Sequence, residues 1–235
     1  ILAIEYLSAI EKFNRVINPV CIKRFGVGHD SPEVDNVSGV ASASTLRQLI
    51  SNNQFDSVFR YMPPASYSVI RQAYENGEFA DINRISTAII SKLRTMNTQN
   101  YSQLPDISEG LEHRIKKAVE QSCDLQSLYT NIKTKRYTLA RIKRIIMSAF
   151  LDIDNTVNKQ PLEYIRILGC NQNGIELIKQ NMQKSPVPIA LRTTNITDTK
   201  QFKLECRATD LYNLALIRPK RMNIELTSGL ITDIL

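Results

Sequence analysis

No two of the four cysteines, Cys21, Cys123, Cys170 and Cys206, stand close enough to make a Cys-x-x-Cys pair. That spacing sets aside a zinc knuckle and a redox dithiol. The cysteines read instead as small apolar residues of a reduced, cytoplasmic protein. Histidine is scarcer still, with two residues and no His-x-x-x-His ligand pair. Gly-x-Ser-x-Gly and P-loop sequences are missing as well. No apolar run approaches the roughly 18 residues of a bilayer span, which excludes a membrane-crossing helix. The opening Ile1-Leu2-Ala3-Ile4-Glu5-Tyr6-Leu7 has no initiator Met, no basic n-region and no small-residue cleavage site. It does not read as a signal peptide but as the middle of a domain, with a missing part upstream.

What is present is an ordinary globular composition. The chain has 235 residues, 43% hydrophobic and 23% charged, enough for a real core without metal or disulfide. Thirty Lys and Arg against 23 Asp and Glu leave a net charge of +7. That balance is compatible with an anionic partner without demanding one. Composition names no function.

Along the chain three regions separate: 1–62, 63–151 and 152–235. In the first, Ile4, Leu7, Ile10 and Phe13 recur at helical steps, and Pro19 ends that helix. Val20 to Phe25 reads as a short strand broken by Gly26 and Gly28. His29 to Gly39 has no apolar period and reads as a loop. Ser42 or Ser44 then caps a helix through Leu46, Leu49 and Ile50. This order fits the end of an open α/β domain. Met62-Pro63-Pro64 marks a boundary, because neither proline can continue a helix.

The middle reads as helices. Their apolar positions are Val69, Ala73 and Tyr74; Ile85, Ala88, Ile89 and Leu93; Leu111, Ile115, Ala118 and Val119; and Leu125, Leu128 and Ile132 behind an Asp124 cap. Ile142, Ile145, Ile146, Ala149 and Phe150 give the clearest stripe. From Tyr164 the period changes: strand 164–169, helix 171–183 and strand 188–192 make a β-α-β unit with parallel strands. A helix through Ala208, Leu211 and Leu214 follows. The fold class is therefore α/β with a large helical portion.

Two constellations bear on chemistry. Ala41-Ser42-Ala43-Ser44-Thr45-Leu46-Arg47 opens a helix after a Gly-containing loop. Hydroxyls and free N–H groups there, with Arg47 one turn in, suit a phosphate. Arg24, beside two glycines, is a second candidate contact at a strand end. An ordinary Ser-capped surface helix and a solvated arginine fit the same residues. The second constellation runs from Lys133 to Arg144, with six cations in twelve residues and no Asp or Glu. Cations at a helix start oppose the macrodipole, so they are not there for helix stability. Tyr137 among them offers a base-stacking surface, and Arg114, Lys116 and Lys117 could extend the patch. A solvated charged face is the plain alternative. His29, with Asp30, and His113 assemble no active site, and Glu109-Gly110-Leu111-Glu112 reads as a turn into a helix.

At these segments the chain resembles the tRNA(Met) cytidine acetate ligase family, relatives of the HIGH-motif nucleotidyltransferases. The resemblance rests on Ile1–Leu7, Ile22-Lys23-Arg24, Val40–Arg47, Ser108-Glu109-Gly110-Leu111-Glu112 and Lys133–Arg144, in the family's order. It implies the end of a Rossmann-like nucleotidyltransferase domain, a tRNA-contacting helical region and a small α/β region. It implies an enzyme that uses ATP, with Mg2+, to activate acetate as acetyl-adenylate. The acetyl group then passes to the wobble cytidine of elongator tRNA(Met), giving N4-acetylcytidine. Arg24, Ser42, Ser44 and Arg47 would border ATP, and Lys133, Lys135, Arg136, Arg141 and Arg144 would grip the tRNA. The family's histidine-containing ATP motif has its place before Ile1, so the 235 residues alone are not expected to form acetyl-adenylate. The family's Ile-Ser-Ser-Thr-x-Ile-Arg pattern is also altered at Ala41–Arg47. Two other readings remain open: a nucleotidyltransferase acting on a small molecule, and a non-catalytic RNA-binding module.

Overall fold

A computed structural model describes residues 2–13, 17–23, 25–28, 34–35 and 39–231. The chain forms two compact units, Ile1–Gln72 and Ala73–Leu235. The first begins with α1 (Leu2–Lys12), the predicted amphipathic helix. None of its residues is buried; Leu2, Ile4 and Leu7 stay exposed. The strand expected over Val20–Phe25 does not form: residues 17–23 and 25 have no regular structure. Val20, Ile22 and Phe25 are exposed, and no neighbouring strand among the described residues takes up their backbone groups. β-branched composition alone cannot hold a strand without such a partner. The loop expected at 29–39 includes a short strand that pairs with the residues just after it. There β1 (Val34–Asp35) pairs antiparallel with β2 (Val40–Ala41). Gly26 explains its own identity, since a Cβ there would lie 2.9 Å from Val40 Cβ at a φ of +78°.

Next come α2 (Ala43–Ser51), α3 (Phe55–Phe59) and α4 (Pro64–Glu75). Proline at the first position of α4 suits a residue with no N–H to donate. Ile50, Phe55 and Val58 are the buried apolar residues here. The Arg71 guanidinium covers the Phe55 ring at 4.8 Å.

The second unit is built on α5 (Ser86–Thr95), α6 (Thr98–Ser102), α7 (Leu111–Gln121), α8 (Leu125–Ile132) and α9 (Leu139–Phe150). Every predicted stripe residue of α7, α8 and α9 is buried. They close one core with Ile89, Leu93 and Tyr101. Asp124 and Thr138 cap α8 and α9 as expected, accepting from the N–H groups of Ser127 and Arg141. The helix ends are served by cations from elsewhere. Arg94 donates to Ser122 O beyond α7, Arg114 to Ile132 O and Asn131 O, and Lys116 to Met96 O beyond α5.

Tyr101 is buried in this core and its hydroxyl donates to Leu93 O at 2.6 Å. Burial, then the nearby Glu120 charge, pushes its phenol from 10.0 to about 12. The folded value lies above the unfolded one. The neutral phenol's contribution to stability is therefore complete below pH 10.0 and disappears as pH rises through about 12. Alkaline unfolding followed by circular dichroism should lose part of its dependence over that interval in Tyr101→Phe. An identical profile would show that Tyr101 titrates as in an open chain.

A smaller layer completes this unit. β3 (Ile165–Arg166) pairs parallel with β4 (Ile189–Ala190), and α10 (Gln172–Asn181) lies between them in sequence, as the β-α-β pattern predicts. With α11 (Lys200–Leu214), these elements bury Tyr164, Ala190, Ile196 and Phe202. Arg166 pairs with Glu225 at 2.7 Å and Glu205 at 3.7 Å, tying β3 to α11 and α12 (Ile224–Thr227). The segment after α11 returns along residues 77–81, with Arg218 N donating to Gly77 O and Asp81 N to Ala215 O. The observed architecture is α/β and mainly helical.

Candidate nucleic-acid and phosphate sites

Ser42 sits where its sequence position predicts, as the N-cap of α2. Thr45 N donates to Ser42 Oγ at 3.1 Å, and the two hydroxyl oxygens are 3.0 Å apart. Both residues are buried, Ser42 at 1% exposure. The Ser42 hydroxyl thus closes the helix rather than standing open, a cap worth about 1 kcal/mol. Ser44 and Arg47 are exposed in the first turns of the same helix. Arg24, His29 and Asp30 lie outside the described residues.

The basic run has a different character from the one its sequence suggests. It lacks an acid within itself, but the fold brings acids to it from 103–110, the segment ahead of α7. Arg136 pairs with Glu109. Arg141 donates from Nε and Nη2 to Asp106 O at 3.0 and 2.6 Å, and from Nη2 to Ser108 Oγ at 2.8 Å. Arg144 meets Asp106 Oδ2 at 3.1 Å. Asp106, Glu109 and Gly110 all have positive φ, at 62°, 60° and 80°. Two of these are not glycine, so their backbone sits in a region that costs about 1 kcal/mol or more. The three arginines clamp that turn in place, and Gly110 then caps α7.

Tyr137 corrects the base-stacking expectation. It is 6% exposed and belongs to the helical core, with Arg136 and Arg141 guanidiniums 5.8 and 5.3 Å from its ring. A ring held on both counts has no free face for a base. Arg114 and Lys116, expected to extend the patch, are engaged at helix ends, while Lys117 is exposed. Lys133 and Lys135 are exposed, and Lys135 has no ion-pair partner among the described residues. Lys143, a member of the run, lies 5.7 Å from the Tyr129 ring. The acids were invisible in the sequence pattern, with Glu109 standing 27 positions before Arg136 and Asp106 standing 35 and 38 before Arg141 and Arg144. His113 is exposed. Among the described residues no group of three or more His, Cys, Asp or Glu is placed to hold a metal. No helix among them is long and apolar enough to cross a membrane.

Comparison with known proteins agrees with this architecture. The tRNA(Met) cytidine acetate ligase of Thermoanaerobacter sp. (strain X514) is 33% identical over 222 residues, covering 92% of this chain and 54% of that protein. The enzyme of the same name from Acetivibrio thermocellus is 30% identical over 253 residues, covering 98% of this chain and 60% of that protein. The chain thus spans about half the length of the curated relatives it matches. Two crystal structures of Thermotoga maritima TmcAL share the fold at 21% identity. The apo form has a TM-score of 0.85, covering 98% of this chain and 59% of that one. The form bound with alpha-thio ATP has a TM-score of 0.82, covering 98% and 58%. The family model described as HIGH Nucleotidyl Transferase matches residues 1–225. By that match across nearly its whole length, the chain belongs to the HIGH nucleotidyl transferase family.

Proposed function

We propose that this chain serves ATP-dependent acetylation of the wobble cytidine of elongator tRNA(Met), giving N4-acetylcytidine. The observation that carries the reading is the 133–144 segment, where six cations outnumber the two carboxylates, Asp106 and Glu109, that pair with Arg144 and Arg136. Relatives of this chain bear the name of that ligase. In the reaction an acetate oxygen attacks the α-phosphorus of ATP and pyrophosphate leaves. The cytidine amine then attacks the acetyl carbonyl and AMP leaves.

On this reading the basic helical region contacts tRNA. Lys133 and Lys135 meet phosphates directly, while Arg136, Arg141 and Arg144 shape the turn and lend it positive charge. Ser44, Arg47 and the first N–H groups of α2 border the nucleotide's phosphates, and Ser42 holds that helix start in shape. Arg24 is a further phosphate contact by family resemblance. Mg2+ would arrive with the triphosphate, its usual carrier in such sites.

Binding of tRNA by the chain, measured by filter retention across a salt series, tests the reading. Several phosphate contacts make log affinity fall with log salt at a slope of about −0.9 per contact for a duplex. A slope near zero, or no retention at low salt, would remove tRNA from the proposal.

A further inference from the structure

The cations of the 133–144 run divide by residue type once the chain is folded. All three arginines are engaged by the turn at 106–109. Arg136 and Arg144 pair with Glu109 and Asp106, and Arg141 donates to Asp106 O and Ser108 Oγ. Lys133, Lys135 and Lys143 are exposed, and none of them has an ion pair among the described residues. The two carboxylates stay on the surface with the cations. Asp106 is 44% and Glu109 54% exposed, beside guanidiniums at 62% and 60%. Ion pairs this open to water contribute little to stability. Arg141 holds the turn through a backbone carbonyl and a hydroxyl, using neither carboxylate. Both acids also stand at positive φ, a region costly to residues other than glycine. What they add to the fold does not explain them.

We propose that Asp106 and Glu109 determine selectivity at the RNA-contacting face. They occupy two guanidiniums and set two negative charges beside the lysines. An RNA backbone then binds only where its phosphates meet the lysines and miss the carboxylates. The inference rests on the tRNA reading above and adds to it the residues that reject other polyanions. A guanidinium presents a planar fork of donors that grips a phosphate in any nucleic acid. Phosphate contacts carry no sequence information, so six unopposed cations would hold unrelated RNAs equally well. Discrimination among partners of one charge needs a repulsive contact against the wrong one. A carboxylate facing a phosphate supplies that contact.

The test uses the whole 235-residue chain and filter retention across a salt series. The probes are an elongator tRNA(Met) transcript and an unrelated RNA of the same length. Asp106→Asn combined with Glu109→Gln removes both charges at constant side-chain length, and Asn is at home at positive φ. The double variant should bind the unrelated RNA about tenfold more tightly and tRNA(Met) no more than about threefold, with its melting temperature unchanged. The salt slope for the unrelated RNA should steepen by about two, one for each arginine released to a phosphate. With Arg136→Gln and Arg144→Gln already in place, the same two substitutions should leave that slope unchanged. If wild type retains tRNA(Met) steeply with salt and the double variant matches it on both RNAs, the selectivity role is wrong and the tRNA reading survives. Equal tightening of both RNAs would make the acids a general brake and overturn selectivity. Weaker binding with a lower melting temperature would make them supports of the turn, which overturns it as well. If wild type retains neither RNA, the tRNA reading itself falls, and this inference with it.

Discussion

Lys135→Glu combined with Arg136→Glu is expected to lower tRNA affinity about a hundredfold or more at low salt. The salt slope should fall by about two at the same time. Lys135 is exposed and without an ion-pair partner among the described residues, so its charge is available to a phosphate. Arg136 is paired with Glu109, yet both side chains remain more than half exposed, at 60% and 54%. Such an exposed pair is worth little to stability, so its loss should not unfold the helix. Reversal of Arg136 also sets a second carboxylate beside Glu109, which adds repulsion toward any phosphate. The measurement is the filter-retention salt series, with a far-ultraviolet circular dichroism spectrum to confirm the helices. Affinity and slope both equal to wild type would make the basic run a solvated face. A uniform loss across unrelated RNAs would be consistent with phosphate contact, because backbone contacts do not read sequence.

The other large effect lies in the core. Ile145→Ala should destabilise the second unit by about 2–5 kcal/mol, from lost transfer energy and the cavity left behind. Ile145 has 0% exposure and stands in the middle of the α9 stripe, inside the cluster that joins α5, α7 and α8. Against a typical stability of about 5–15 kcal/mol, that is a large share of the total. A thermal midpoint roughly 5–15 °C lower is expected from a unit of this size. Ile145→Val, which removes a single methylene, should cost only about 1 kcal/mol. Equal melting of Ile145→Ala and wild type would mean that α9 does not close the core as described. The same helix carries Arg141 and Arg144 on its other side, so this loss should also weaken tRNA binding as α9 loosens.

The helices were legible because their information is local. The i, i+3, i+4 stripe of α9, the Asp124 and Thr138 caps and the Pro64 start each lie within a turn of the element they define. The parallel β3–β4 pair was legible for a related reason, since a helix between two short strands leaves few topologies open. Val20–Phe25 failed because a strand needs a neighbour, and propensity within six residues does not supply one. Tyr137 failed because cations on both sides in sequence suggested a wet ring, whereas the fold buries it in the helical core.

The basic run shows the division most clearly. Its composition, six cations without an acid, is set by sequence alone, and so is its place at the entrance of a capped amphipathic helix. Which of those cations is free for a ligand is not. Asp106 and Glu109 reach the run only because the turn before α7 packs against the start of α9, about 35 residues later in the chain. Backbone at positive φ in that turn makes the approach possible, and three arginines hold it there. Local periodicity and capping act over one helical turn, and so can be read from the chain. Charge pairing depends on distances between elements, and packing of the hydrophobic core decides those.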